Sequence, residues 1–106
     1  MTMKTSPFDA ADYLDTAEAR AEYMTAALET GDTEFIRDAV GVVARARGMA
    51  GIAKATGLSR ESLYKALGPA GNPEFRTMMR IVRALGLTLS ARPAAAARTP
   101  KRRRVA

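Results

Sequence analysis

Apolar residues recur at helical spacing in several stretches of this chain, with glycines between them. From Asp32 to Arg47, Ile36, Val40 and Val43 follow one another around a helix, and Phe35, Ala39 and Val42 widen the apolar face. This predicts a buried helix capped by Asp32 or Thr33 and closed by Gly48. Upstream, Asp9 to Leu14 predicts one or two helical turns. Asp15, with Glu18 three residues on, has capping-box spacing and opens a helix to about Thr30 that Gly31 ends. Downstream, Phe75, Met78, Met79, Val82 and Leu85 form a core stripe on a helix from Glu74 to Leu85. There Asn72 is the expected N-cap, Pro73 the first helical residue and Gly86 the stop.

The stretch between these helices, Met49 to Leu67 (MAGIAKATGLSRESLYKAL), has the spacing of two short helices crossing at a tight turn. Ala53 is small enough for a close crossing, with Ile52 and Leu58 flanking it. Gly57, four residues on, suits the positive φ of a helix stop. Ser59 can accept a hydrogen bond from an orphan N–H of the next helix, which starts at Arg60. Leu63 and Leu67, at i and i+4, face inward and leave Arg60, Glu61, Ser62, Tyr64 and Lys65 outward or at the rim, able to hydrogen-bond bases or phosphates. An ordinary helical hairpin satisfies Ala-x-x-x-Gly-x-Ser as well. The strongly basic surroundings favour a helix-turn-helix that reads DNA, with Lys54 of its first helix added to the contact set.

Charge sharpens that reading. The 106 residues carry a net charge of +6, but residues 1–47 hold nine acidic and five basic side chains, whereas residues 48–92 hold two and seven. Residues 93–106 add five basic groups and no acid. An acidic front half and a basic back half suggest two different partners, with nucleic acid facing the basic half; solvation of the first helices by their acids is the plainer alternative. The chain has no cysteine and no histidine, so disulfides, zinc fingers and imidazole chemistry are excluded, and no cofactor or metal is expected. The dispersed carboxylates and the lack of a Gly-rich phosphate loop argue against an enzyme. No apolar run is long enough to span a membrane and the first residues lack a signal-peptide core, which predicts a cytoplasmic protein.

Length and the 47% hydrophobic content predict a single small all-α domain of five to six helices at residues 9–91, with a loose arm at 1–8 and a basic disordered tail at 92–106 ending in KRRR. Leu87-Thr-Leu-Ser-Ala91 alternates apolar and polar residues, the pattern of a short half-buried strand. Such a strand needs pairing from a second copy or another protein; the alternative is an extended tail lying on the core.

The run RGMAGIAKATGLSRESLYKALGPAGNPEFRTMMRIVRALGLTL, with the upstream FDAADYLDTAEARAEYMTAALETGD, resembles the probable addiction module antidote proteins, prophage-type members of the Xre/HigA-like helix-turn-helix class. The resemblance covers about residues 7 to 91, and GLSRESLYKAL and GNPEF…RALGL are its most specific parts. It implies the antitoxin of a type II toxin–antitoxin pair, which binds and neutralises a small RelE/HigB-like toxin and, as a homodimer, represses its own operon. It also implies that the second helix of the pair enters the major groove, with Arg60 and Ser62 on bases and Ser59 and Lys65 chiefly on phosphates. Glu61 could then accept from a cytosine amino group, and Tyr64 could contact DNA or pack. For the toxin, the resemblance leaves two candidate surfaces: the acidic helices before Arg47 and the segment Leu87–Ala91. A stand-alone phage-type repressor would use the same motif, and a sequence-tolerant DNA binder is a third reading.

Overall fold

The structure is a computed structural model that describes residues 9–94; the predicted arm at 1–8 and the tail from residue 95 onward, KRRR included, lie outside the described residues. A 3-10 turn, Ala10–Tyr13, leads into five helices: α1 (Ala17–Glu29), α2 (Thr33–Arg47), α3 (Met49–Thr56), α4 (Arg60–Ala66) and α5 (Phe75–Ala84). The fold is all-helical, and no strand occurs among the described residues.

The chain builds outward from α2. Its apolar face buries Ala39, Val40, Val43 and Ala44, and the helix packs against α1, the 3-10 turn and α3. Helix α3 in turn meets both α4 and α5. The most deeply buried large side chains are Val40 and Val43 of α2, Leu63 of α4, Ile81 of α5 and Leu85 just after it. Each removes on the order of 1.5–3 kcal/mol of apolar side chain from water. A single core therefore unites α2, α4 and α5 with Ile52 and Ala53 of α3. Gly48, at φ 108°, is both the end of α2 and the residue before α3, so the two helices are joined by one residue.

Four expectations are corrected. The cap of α1 is Thr16 and not Asp15: the Ala19 N–H donates to Thr16 Oγ1 at 3.0 Å, three residues along, where the first turn has an orphan donor. Asn72 and Pro73 do not open α5. The chain is pressed against α4 at Gly71 and then runs through 72–74 without helix, so Glu74 takes the cap position, with no side-chain cap bond. The α5 stripe is centred on Ile81 and Leu85, and Met78 and Met79 are only half-buried. That phase leaves Phe75, in the first turn and at the stripe's edge, 78% exposed, and it brings in Ile81, which the stripe as read from sequence omits. Residues 87–91 form no strand. After the Leu87 N–H bonds the Val82 carbonyl at 3.3 Å, the segment runs along α1 as irregular chain, because no neighbouring strand offers it a ladder.

Candidate nucleic-acid interface

The pair α3 and α4 is set by local chemistry. Ile52, Ala53 and Thr56 are buried on the inner side of α3, and Gly57 ends the helix in the left-handed conformation, φ 80° and ψ 5°. Its N–H returns to the Ala53 carbonyl at 3.0 Å, which satisfies a carbonyl that the helix end leaves open. Thr56 locks the turn. Its hydroxyl donates to the Ile52 carbonyl at 2.8 Å, with the Ala53 carbonyl at 3.1 Å, and accepts from the Leu58 N–H at 3.3 Å. Sequence reasoning passed over this residue; the available signal was a hydroxyl in the last turn of a helix before glycine, where it can bond back to the i−4 carbonyl.

Ser59 caps α4. Its Oγ accepts from the Ser62 N–H and donates to Ser62 Oγ, both at 2.9 Å. The Ser59 hydroxyl, expected chiefly on a phosphate, is thus employed within the helix start, and it orients Ser62. Leu63 is fully buried and Leu67 nearly so, and with these two inside, Arg60, Glu61, Ser62, Tyr64 and Lys65 are all exposed on α4, Tyr64 at 49%. Lys54 is exposed on the neighbouring α3. Lys54, Arg60 and Lys65 enter no ion pair among the described residues, and Glu61 does not neutralise Lys65 four positions on. Five of the seven expected contact residues are therefore exposed on α4, while Ser59 caps it and Lys54 sits on a second element.

Two residues that sequence reasoning did not single out hold α4 in place from behind. Gly71 lies so close to the end of α4 that an added Cβ would sit 2.0 Å from the Ala66 carbonyl oxygen, so only glycine fits. Arg37, reaching from α2 with its side chain only 12% exposed, donates through Nη1 to the Gly71 carbonyl at 3.2 Å and through Nη2 to Asp38 at 3.0 Å. No local spacing signals this clamp, because its partners are 34 positions apart.

The surface of the N-terminal helices is different in kind. Helix α1 exposes Glu18, Glu22 and Glu29, and α2 exposes Glu34 and Asp38. Asp9 caps the 3-10 turn through the Ala11 N–H at 3.1 Å and pairs with Arg45 at 3.1 Å; these two bonds, the backbone one first, hold its carboxyl below the usual range. The extended segment after α5 forms one wall of a groove of about 790 Å³ whose other wall is Ala21, Met24, Thr25 and Leu28 of α1, and Arg92 pairs with Glu29 across its end. Among the described residues no cluster of His, Cys, Asp and Glu could hold a metal, and no helix is long and apolar enough to cross a membrane.

The chain has relatives among known proteins. An uncharacterised protein of Haemophilus influenzae is 44% identical over 87 residues, which cover 82% of this chain and 90% of that protein. No solved structure matches the chain. The family described as probable addiction module antidote protein matches residues 4–93. That span takes in all five helices, the exposed face of α4 and the groove beside α1; the chain is a member of the probable addiction module antidote protein family.

Proposed function

We propose that the protein is the antitoxin of a type II toxin–antitoxin module. In this reading it neutralises a small RelE/HigB-like toxin by direct binding and, as a homodimer, represses its own operon in the cytoplasm. It is a binding protein and not an enzyme, and it belongs to the Xre/HigA-like helix-turn-helix class. Membership of an antidote family carries the toxin half of this reading, since an antidote has a toxin as its counterpart. The DNA half is supported by the exposed polar face of α4, which stands on a glycine turn and a serine cap beside unpaired cations.

In this reading α4 lies in the major groove. Arg60 and Ser62 read base edges, Lys65 and Lys54 meet phosphates, and Glu61 accepts from a cytosine amino group. Tyr64, half-exposed on α4, is open to a base or a phosphate contact. The acidic surface of α1 and α2 is the first candidate for the toxin, because RelE/HigB-like toxins are commonly basic and opposite charge speeds encounter. The groove wall at Leu87–Ala91 is the second.

The test is binding of the purified protein to its own upstream DNA and to scrambled DNA at fixed physiological salt, with and without the product of the adjacent gene. Preference for the upstream DNA that changes when the neighbour binds is the expected result. Equal affinity for both DNAs and no complex with the neighbour would sink the proposal. Preference for the upstream DNA without a complex would leave a stand-alone phage-type repressor.

A further inference from the structure

Among the described residues, the three arginines of α5 separate from every arginine outside α4 in one respect. Arg20, Arg37, Arg45, Arg47 and Arg92 each donate to a carboxylate or a carbonyl. Arg76, Arg80 and Arg83 are exposed and make no hydrogen bond or ion pair among the described residues. They occupy positions i, i+4 and i+7, so they fall within about 60° of arc on one side of the helix. The opposite side buries Ile81 and Val82, which fixes the ridge to face outward. A solvated helix face ordinarily interleaves acids with bases, but α5 contains no acidic residue. Three like charges stacked along one ridge repel one another, and no ion pair among the described residues offsets them.

We infer that Arg76, Arg80 and Arg83 form a phosphate-tracking ridge that clamps the DNA backbone beside the α4 contact. The inference rests on the DNA-binding reading above and adds a second contact surface to it. A helical rise of about 1.5 Å per residue puts Arg80 about 6 Å and Arg83 about 10.5 Å along the axis from Arg76. Phosphates of one strand advance about 3.4 Å per step along the duplex axis. Projected on the duplex axis, the spacings amount to at most about two and three phosphate steps. Guanidinium groups present a planar fork of donors that matches phosphate oxygens two at a time. Helix α3 packs on α5 and on α4, so the ridge and the reading helix are mounted on one rigid element.

The inference separates base reading from backbone grip, and salt dependence tells them apart. The full chain and its Arg76→Gln/Arg80→Gln/Arg83→Gln variant are titrated against the upstream duplex and a scrambled duplex across a series of salt concentrations. Circular dichroism and the thermal midpoint check that both fold alike. Each lost phosphate contact lowers the magnitude of the log–log salt slope by about 0.9, so the variant is expected to lose up to about 2.7 from the slope for each bound protomer. Affinity should fall on both duplexes alike, with the preference between them unchanged. A triple Arg→Lys variant is expected to restore most of the slope. An unchanged slope overturns the inference. So does a loss confined to the upstream duplex, which would make these residues base readers, or a variant that binds DNA normally but no longer associates with a second copy or the neighbouring gene product. Wild-type protein that binds neither duplex overturns the DNA-binding reading itself, and the inference with it.

Discussion

Four arginines before Gly48 and four between Ser59 and Gly86 are used in opposite ways. In the first group Arg20 holds the Leu14 carbonyl at 3.0 Å, Arg37 holds the Gly71 carbonyl, Arg45 pairs with Asp9 and Arg47 reaches the Leu85 carbonyl at a long 3.5 Å. Each joins its helix to a segment outside it. In the second group Arg60, Arg76, Arg80 and Arg83 are exposed and bonded to nothing among the described residues. The cause is what the fold brings within reach: Arg20, Arg37 and Arg47 reach backbone carbonyls and Arg45 a carboxylate, whereas no arginine of the second group has such a partner among the described residues. A cation that is bonded within the fold contributes to stability. One left in water contributes almost nothing there and leaves its donors open to a partner.

The contrast can be broken most severely where the two halves meet. Gly71→Ala drives a Cβ into the Ala66 carbonyl, and either α4 or the loop must move. The expected loss is on the order of 3–5 kcal/mol, among the largest for a single substitution, measured by denaturant unfolding; a near-normal midpoint would mean that the loop is not pressed on α4.

A matched pair of arginine substitutions sharpens the comparison. Arg37→Ala leaves the Gly71 carbonyl without its donor and should cost about 1–3 kcal/mol of stability. At a temperature where the variant remains folded, its salt slope for DNA should match wild type. Arg60→Ala should do the reverse, with stability within about 0.5 kcal/mol of wild type and a loss of about 1–3 kcal/mol in specific binding for a bidentate guanine contact. If both variants lose stability and neither loses binding, the division between the two groups is wrong.

Ser59→Ala is smaller. It removes the cap from α4 and the hydroxyl that orients Ser62, at a cost of about 1 kcal/mol. Ser59→Asp, which can cap through a carboxylate, should recover the stability while weakening DNA binding by placing a negative charge near the phosphates. A Ser59→Ala protein as stable as wild type would remove the cap from the account of the turn.

The smallest effect is a pH dependence confined to the acidic half. The Asp9 carboxyl is held below its ordinary range by the Ala11 N–H and Arg45, so the unfolded chain takes up this proton at a higher pH than the native one. Its contribution is therefore present above the ordinary aspartate range and lost as pH falls through the lowered native value. Asp9→Asn should flatten that acid limb slightly, in unfolding curves followed by circular dichroism, by lowering stability a little at neutral pH while leaving it nearly unchanged in acid. An acid limb identical to wild type would show that Asp9 is not among the groups that set it.

The candidate site was more legible than its support. Gly57, Ser59, Leu63 and Leu67 could be placed from spacing because a turn, a cap and an i+4 pair are decided within a few residues, and the outward positions of Arg60, Glu61, Ser62, Tyr64 and Lys65 follow from what is inward. The all-helical class and the position of each helix were readable for the same reason, since the apolar period and the glycine stops are local signals. Packing settled the rest. Whether α5 presents Phe75 or Ile81 to the core depends on the phase at which neighbouring helices meet. The Arg37 clamp and the need for glycine at position 71 come from surfaces far apart in the chain. So does the division of arginines into bonded and free, because a guanidinium finds its partner through space at contact distance, and no rule of local spacing can say which carbonyl the fold will bring there.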